Sequence, residues 1–163
     1  MCTAVTYKTK DFYFGRTFDN ECSYGEEIVM TPRNYPFRFP GMDGMDRHYA
    51  MIGIAHVEQD YPLYYDAVNE KGLAMAGLNF PGNACYNPPV QDRKNIAVFE
   101  LIQCILRNFA SVRECRDWLK EVNLTDVPFC ENLPVATLHW IIADRDEALT
   151  LEAVAEGLRI YEN

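Results

Sequence analysis

The sequence is short of basic residues and has no long apolar segment. Its 163 residues include 15 Lys and Arg against 24 Asp and Glu, which gives a formal net charge of −9. Nucleic-acid-binding surfaces need clustered Lys and Arg to meet phosphates, so this balance argues against such a partner. No apolar run approaches the length of a membrane span. We therefore expect neither a nucleic acid nor a membrane as a partner.

Leader features and metal or nucleotide motifs are also lacking. The first residues show no basic flank followed by a long apolar stretch, so we expect no signal peptide and a cytoplasmic protein. The six cysteines contain no C-x-x-C pair and should stay reduced in that compartment. The sequence carries no H-E-x-x-H, no G-x-S-x-G and no phosphate-binding glycine loop. We therefore predict no metal site and no cofactor.

Only three histidines are present, and they are scattered along the chain. His139 lies beside Trp140 at the start of a predicted strand, where we expect a buried structural histidine. His48 lies in a polar loop, where we expect a solvated side chain. The residue types alone leave a Cys–His dyad open as an alternative.

The predicted elements run as strands, then two helices, then strands. Spacing of Ile96, Phe99, Ile102 and Leu106 predicts the first helix. Ser111 and Glu114 form a capping-box pattern that starts the second, whose apolar face runs to Val122. A Gly-, Pro- and Asp-rich loop is expected over residues 32–47. Alternation and turn signals predict strands at 3–7, 12–18, 27–31, 49–57, 63–68, 73–78, 137–143, 149–154 and 158–161.

This segregation of strands and helices predicts an α+β layered fold rather than a βαβ parallel sheet. The 163 residues are enough for one domain with a sizeable core. The last predicted strand would be an exposed edge unless something else pairs with it. This edge is a first indication that residues 1–163, interpreted as a single domain, are a fragment.

Cys2 is the candidate nucleophile. Removal of Met1 would leave a free α-amino group and a thiol on the same carbon. An α-amino group has a reference pKa of about 7.7–8.0 and a thiol of about 8.5, so such an amine can take the thiol proton near neutral pH. Nucleophile and general base then come from one residue, as with N-terminal threonine. A cysteine at position 2 without any catalytic role is the alternative on this observation alone.

Arg16 strengthens the catalytic interpretation. Alternation in residues 12–18 puts Arg16 on the same face as three phenylalanines, Phe12, Phe14 and Phe18. An arginine there is costly unless it is paired or functional. A nearby cation favours the thiolate of a cysteine. Asp19 follows the strand and could accept from the Cys2 ammonium or balance Arg16. The alternatives are an arginine that reaches solvent and an ordinary turn aspartate.

Several motifs closely resemble the opening of bile salt hydrolases. With penicillin V acylases, these enzymes form the choloylglycine hydrolase family of N-terminal-nucleophile hydrolases. The resemblance runs along the whole chain, and the motifs are specific only in combination. They are Cys2-Thr3-Ala4-Val5-Thr6, Phe14-Gly15-Arg16-Thr17-Phe18-Asp19, Ser23-Tyr24-Gly25-Glu26, Thr31-Pro32-Arg33-Asn34-Tyr35, Asn69-Glu70-Lys71-Gly72-Leu73, Ala76-Gly77-Leu78-Asn79-Phe80-Pro81-Gly82 and Leu138-His139-Trp140.

The resemblance implies an αββα sandwich, two sheets covered by helices, that is incomplete in this chain. It implies Cys2 as nucleophile, with Arg16 and Asp19 around its thiol and amine. Asn79 would be a polar contact in the acyl-transfer site, where a side-chain amide can donate to a developing oxyanion. The second half of full-length members supplies a further asparagine and an arginine that have no counterpart here. The resemblance therefore implies that residues 1–163 are the N-terminal part of a longer domain of this family, or else that another chain completes the site. Full-length members are expected to be homotetramers.

The activity implied by the resemblance is hydrolysis of the amide bond of glycine- or taurine-conjugated bile salts. A steroid needs an apolar pocket. Phe129 and Leu133 lie in a loop that resembles a pocket-lining loop of the family, and Tyr24 lies in another loop near the site. An ordinary core or surface position is the alternative for each of the three. Asn79 favours a bile salt hydrolase, because penicillin V acylases usually carry tyrosine there. A penicillin V acylase with the same nucleophile, or a catalytically incomplete fragment, remains as the alternative.

Overall fold

The computed structural model describes residues 2–37 and 47–163. Most of the loop expected over residues 32–47 therefore lies outside the described residues. Along these ranges the chain forms eleven strands, a short 3₁₀ turn and two helices. They are β1 (Ala4–Lys8), β2 (Phe12–Arg16), β3 (Glu26–Thr31), β4 (Met51–Glu58), β5 (Tyr61–Asn69), β6 (Ala74–Asn79), β7 (Lys94–Ala97), the 3₁₀ turn (Val98–Glu100), α1 (Leu101–Asn108), α2 (Val112–Lys120), β8 (Val122–Thr125), β9 (Leu138–Ala143), β10 (Ala148–Val154) and β11 (Gly157–Glu162).

A seven-stranded antiparallel sheet forms the centre of the molecule, with strand order β11-β10-β9-β6-β5-β4-β3. Alternate residues of β10 show how its two faces differ. Leu149, Leu151 and Ala153 are buried, whereas Thr150 and Glu152 between them are half-buried. The buried set packs with Trp140 and Met75 into the main core. The period of two in strands therefore assigns one face of the sheet to the helices.

The two helices cover that core face. All residues of α1 except the last are buried, and the helix lies across β5 and β6. The predicted start of α2 is confirmed, because Ser111 Oγ accepts from the Glu114 backbone N–H at 3.3 Å. The Glu114 carboxylate in turn accepts from the Ala110 N–H at 2.8 Å. No helix in the described part of the chain is long and apolar enough to cross a membrane.

A two-stranded ribbon, β1–β2, packs against the other face of the sheet. Phe18, just beyond β2, contacts Tyr65 with ring centroids 4.7 Å apart. Arg16 reaches the backbone of β6. The opposite side of the ribbon carries Val5, Tyr7 and Tyr13, which are exposed. The layers therefore follow the order helices, seven-stranded sheet, ribbon, which agrees with the α+β prediction.

One pair of strands differs from the prediction. β7 and β8 pair in parallel, with Ile96 opposite Leu124, and the two helices lie between them in the chain. The apolar spacing places Ile96 in the first helix and Val122 in the second, and both assignments are wrong. A short apolar run fits either period, so pairing between distant segments decides it. A small parallel crossover therefore sits beside the antiparallel sheet.

The expected environment of His48 is also wrong. His48 is only 6% exposed. Its Nδ1 lies 2.8 Å from the Tyr49 carbonyl and its Nε2 lies 2.9 Å from the Tyr35 carbonyl. His139 is half-buried and stacks on Phe80 at 4.8 Å between ring centroids. Burial lowers the pKa of His139, which fits the structural role expected for it.

Candidate active site

The ladder between β1 and β2 places Cys2. Ala4 lies opposite Arg16 in that ladder. The pairing continues outward, since Thr3 N donates to Thr17 Oγ1 at 3.0 Å and Thr17 N donates to the Thr3 carbonyl at 2.8 Å. In the same register Cys2 lies opposite Phe18, on the ribbon face that it shares with Arg16. The first residues of the chain are thus held beside the cation that the sequence singled out.

Arg16 is a paired and buried cation, with only 7% of its side chain exposed. Its Nη2 donates to the Gly77 carbonyl at 2.6 Å, and its Nη1 lies 3.5 Å from Asp66 Oδ2. The guanidinium carbon lies 4.6 Å from the centroid of the Phe18 ring. The alternative of an arginine that reaches solvent is therefore wrong.

Asp19 is connected to the start of the chain through Thr17. Thr17 Oγ1 donates to Asp19 Oδ2 at 3.1 Å and accepts from Thr3 N at 3.0 Å. The Asp19 carboxylate therefore holds the Thr17 hydroxyl, and that hydroxyl holds the backbone of Thr3, the residue after Cys2. These contacts help to fix the end of the ribbon. Asp19 lies outside the set of described residues that line the cavity beside Cys2.

A cavity of about 710 Å³ brings the other predicted site residues together. Its lining combines a few polar groups with a largely apolar wall. Such a mixture is typical of sites that bind an apolar molecule and orient one polar group. Among the residues proposed from the sequence, the cavity is lined by Cys2, Arg16, Asn79, Tyr24, Phe129 and Leu133.

Asn79 is the last residue of β6, opposite Leu138 of β9. It is two residues beyond Gly77, whose carbonyl accepts from Arg16. The strand therefore presents a side-chain amide next to the strand position that anchors the guanidinium. An amide N–H at such a place can donate to an oxygen that becomes negative during a reaction.

The apolar wall is built around Phe129. Its ring lies 5.2 Å from that of Phe99 and 5.3 Å from that of Tyr61, centroid to centroid. The segment that carries Phe129 and Leu133 is turned by a bond from Leu133 N to the Cys130 carbonyl at 3.1 Å. Aromatic packing and this turn fix the wall in place.

Tyr24 occupies the rim of the cavity. It is well exposed, and its loop is ordered by Glu26, whose Oε2 accepts from Ser23 Oγ and from Tyr24 N, each at 2.8 Å. Hydrogen bonds to its carboxylate lower the pKa of Glu26. Gly25 has a φ of +75°, in the region that favours glycine, so the turn depends on it.

Asp66 is the site residue that the sequence analysis missed. Burial raises its pKa, while the charge of Arg16 and a bond from Ile54 N lower it. The available signal was one acid inside the otherwise apolar and aromatic predicted strand 63–68. Within residues 2–37 and 47–163, no group of three or more His, Cys, Asp or Glu is arranged to hold a metal ion.

Comparison with protein families finds a match over residues 2–163 to the linear amide C–N hydrolases of the choloylglycine hydrolase family. The bile salt hydrolase/transferase of Lactiplantibacillus plantarum is 50% identical over 163 residues, which are 100% of this chain and 50% of that protein. The conjugated bile acid hydrolase of Lactobacillus gasseri is 37% identical over 167 residues, with 100% of this chain and 53% of that protein covered. The chain thus spans about half the length of these curated relatives.

Solved structures give the same result for the fold. A cysteine-to-alanine mutant of the conjugated bile acid hydrolase from Clostridium perfringens matches with a TM-score of 0.93 and 36% identity, over 100% of this chain and 51% of that one. Penicillin V acylase from Agrobacterium tumefaciens matches with a TM-score of 0.76 and 18% identity, over 99% and 49% respectively, a likeness of fold alone. These matches confirm the expected sandwich fold class. The chain belongs to the choloylglycine hydrolase family of linear amide C–N hydrolases.

Proposed function

We propose that this chain is the N-terminal part of a cysteine amidase that hydrolyses glycine- or taurine-conjugated bile salts. The observation that carries the proposal is the cavity that Cys2, Arg16 and Asn79 line together with many apolar side chains. A half-identical relative named a bile salt hydrolase/transferase supports the choice of substrate. We include in the proposal a cytoplasmic, homotetrameric full-length enzyme.

In the proposed reaction, removal of Met1 frees the α-amino group of Cys2. This amine takes the thiol proton, and the thiolate sulfur attacks the carbonyl carbon of the amide. Asn79 donates to the oxyanion of the tetrahedral intermediate. The C–N bond then breaks, and the ammonium returns the proton to the departing glycine or taurine nitrogen. Water hydrolyses the resulting thioester, which releases the bile acid and restores the thiol.

Arg16 and Asp19 support Cys2 in different ways. The buried Arg16 guanidinium supplies a positive charge beside Cys2, which lies opposite Phe18 in the ribbon. This charge favours the thiolate of Cys2. Asp19 acts on the backbone next to Cys2 through Thr17. The first group therefore bears on charge, and the second on the position of the nucleophile.

The apolar wall is proposed to receive the steroid. Phe129 and Leu133 line the cavity, and Tyr24 lies at its rim. Burial of apolar surface contributes roughly 25 cal/mol per Å², so a steroid ring system gains most of its affinity from such a wall. The amide of the conjugate would then lie near Cys2 and Asn79.

Penicillin V is the competing substrate, because a penicillin V acylase shares the fold. Asn79 and the names of the more similar relatives favour bile salts. The test uses residues 1–163 followed by the second half of the L. plantarum relative, hereafter the completed enzyme. We expect it to cleave glycocholate or taurocholate faster than penicillin V, with no cleavage by a Cys2→Ala control. Faster release of the penicillin side chain would overturn the substrate assignment.

A further inference from the structure

We propose that Asp66 is a positioning residue for amide hydrolysis, because its carboxylate holds the Arg16 guanidinium in place beside Cys2. This inference rests on the proposed function and deepens it. It assigns a role to a strand residue that neither the motifs nor the cavity lining single out.

The position of Asp66 in the large sheet determines which face its side chain occupies. Asp66 pairs with Ile54 on one side and with Ala76 on the other, whereas the next residue, Ala67, pairs with Met75 of the main core. Since paired residues point to the same face, Asp66 lies on the face covered by the ribbon. Its Oδ1 accepts from Ile54 N at 3.4 Å, which restricts the carboxylate.

Two neighbouring strands hold the two ends of the Arg16 guanidinium. Asp66 of β5 faces Nη1 at 3.5 Å, and the Gly77 carbonyl of β6 accepts from Nη2 at 2.6 Å. At 3.5 Å the contact with Asp66 is an ion pair rather than a well-formed hydrogen bond. The carbonyl therefore sets direction, and the carboxylate supplies the counter-charge.

Both charges of the Arg16–Asp66 pair are largely buried. The side chain of Asp66 is 17% exposed and that of Arg16 is 7% exposed, so neither charge is well hydrated. Burial raises the pKa of Asp66, and the charge of Arg16 opposes that rise. A buried guanidinium without a carboxylate partner would be driven toward water.

Arg16 lies between two cavities. Arg16 lines the cavity that contains Cys2, and with Asp66 it also lines a cleft of about 780 Å³ between ribbon and sheet. Asp66 therefore holds Arg16 from the side of the cleft. A shift of the guanidinium toward solvent would remove its charge from the nucleophile.

The experiment compares Asp66→Asn and Asp66→Glu in the completed enzyme. Asp144→Asn serves as the matched control, because Asp144 is also a buried aspartate but lies in the turn after β9, where its Oδ2 accepts from Val112 N at the start of α2 at 2.7 Å. Three quantities are measured: the melting temperature, kcat and KM for glycocholate, and the rate of Cys2 alkylation by iodoacetamide against pH. Peptide mapping separates Cys2 from the other cysteines.

For Asp66→Asn we expect alkylation of Cys2 to require higher pH, and kcat to fall by about 10²-fold with little change in KM, as for a misplaced catalytic group. Asp66→Glu restores a carboxylate and should lie between wild type and Asp66→Asn. Asp144→Asn should lower the melting temperature but keep the alkylation profile. If Asp66→Asn does not fold, a displaced profile in Asp66→Glu supports the proposal, and an unchanged one overturns it.

Two results for Asp66→Asn would overturn the proposal. An unchanged profile and kcat with a lower melting temperature would make Asp66 a structural residue. A profile moved to lower pH would mean that Asp66 opposes the charge of Arg16. Alkylation needs no substrate, so it separates this inference from the proposed function. A completed enzyme that leaves bile salts intact but shows the Asp66-dependent profile would refute the substrate and keep the link to Cys2.

Discussion

Arg16 Nη2 donates to the Gly77 carbonyl at 2.6 Å, and this bond joins the ribbon to the strand that ends in Asn79. Cys2 precedes the first ribbon strand by two residues, and Asn79 is two residues beyond Gly77. The proposed nucleophile and the proposed oxyanion donor thus lie on two elements that the Arg16 guanidinium joins.

Replacement of Cys2 by alanine is expected to abolish amidase activity in the completed enzyme and to leave its melting temperature nearly unchanged. The sulfur is the proposed attacking atom, whereas residue 2 contributes little buried surface. Cys85→Ala is the matched control, because Cys85 is an exposed cysteine outside the cavity lining and should keep full activity. Release of glycine from glycocholate is measured, and mass spectrometry should show loss of Met1 in the active form. Full activity of Cys2→Ala would end the N-terminal-nucleophile proposal.

Arg16→Lys keeps a positive charge but loses the planar fork that meets Gly77 and Asp66 at the same time. We expect a fall in kcat of about 10²-fold and a shift of Cys2 alkylation to higher pH. Arg159→Lys, in β11, provides a control on the same scale of chemical change. Identical alkylation profiles for wild type and Arg16→Lys would make Arg16 a structural cation.

Asn79→Ala removes the proposed oxyanion donor without touching the groups around the thiol. Loss of one such donor typically costs about 10²–10³ in kcat, and we expect a value in that range. Alkylation of Cys2 should keep its pH dependence, which distinguishes this variant from Arg16→Lys. Asn83→Ala, in the exposed turn after β6, is the control and should be active. A normal kcat for Asn79→Ala would remove Asn79 from the mechanism.

Arg33 and Glu70 form an ion pair that should make stability depend on acid pH. Hydrogen bonds from Arg33 and from Ala50 N lower the pKa of Glu70 to about 2. Because this folded-state pKa lies below the unfolded value, the contribution is complete above the unfolded pKa and is lost as pH falls through about 2. Urea unfolding of the completed enzyme should therefore show a smaller loss of stability between pH 5 and pH 2 in Glu70→Gln than in wild type. Equal losses in both proteins would contradict the prediction.

Residues 1–163 alone are expected to be inactive and poorly soluble. Ile28 and Met30 are 79% and 71% exposed on the sheet face next to the ribbon, and Val5 and Tyr7 are exposed on the ribbon itself. Large apolar side chains exposed in this way favour association. The test is expression of the short chain with and without a separately supplied second half of the L. plantarum relative. Cooperative unfolding of a monomer with full amidase activity in the short chain would contradict this expectation.

Local sequence patterns predicted the strands of the large sheet, the ribbon and the start of α2. Strand alternation and turn residues are local signals, and Ser111 caps its helix through bonds that span only a few residues. Sequence alternation also put Arg16 among phenylalanines, and the unusual cost of that position pointed to a partner. Family motifs supplied the expected fold and the residues for which the structure shows a common cavity, apart from Asp19.

Three features depend on contacts between distant segments and became visible only in the folded chain. They are the partner of Arg16, the burial of His48 and the parallel pairing of β7 with β8. Asp66 is 50 residues from Arg16 in sequence, and no local pattern connects two charges on different strands of different sheets. Ile96 fits a helical stripe as well as a strand, and only pairing with Leu124 chooses between them. The cause is the same in each case. Burial and strand pairing depend on which distant segments come into contact, and local sequence patterns do not specify those contacts.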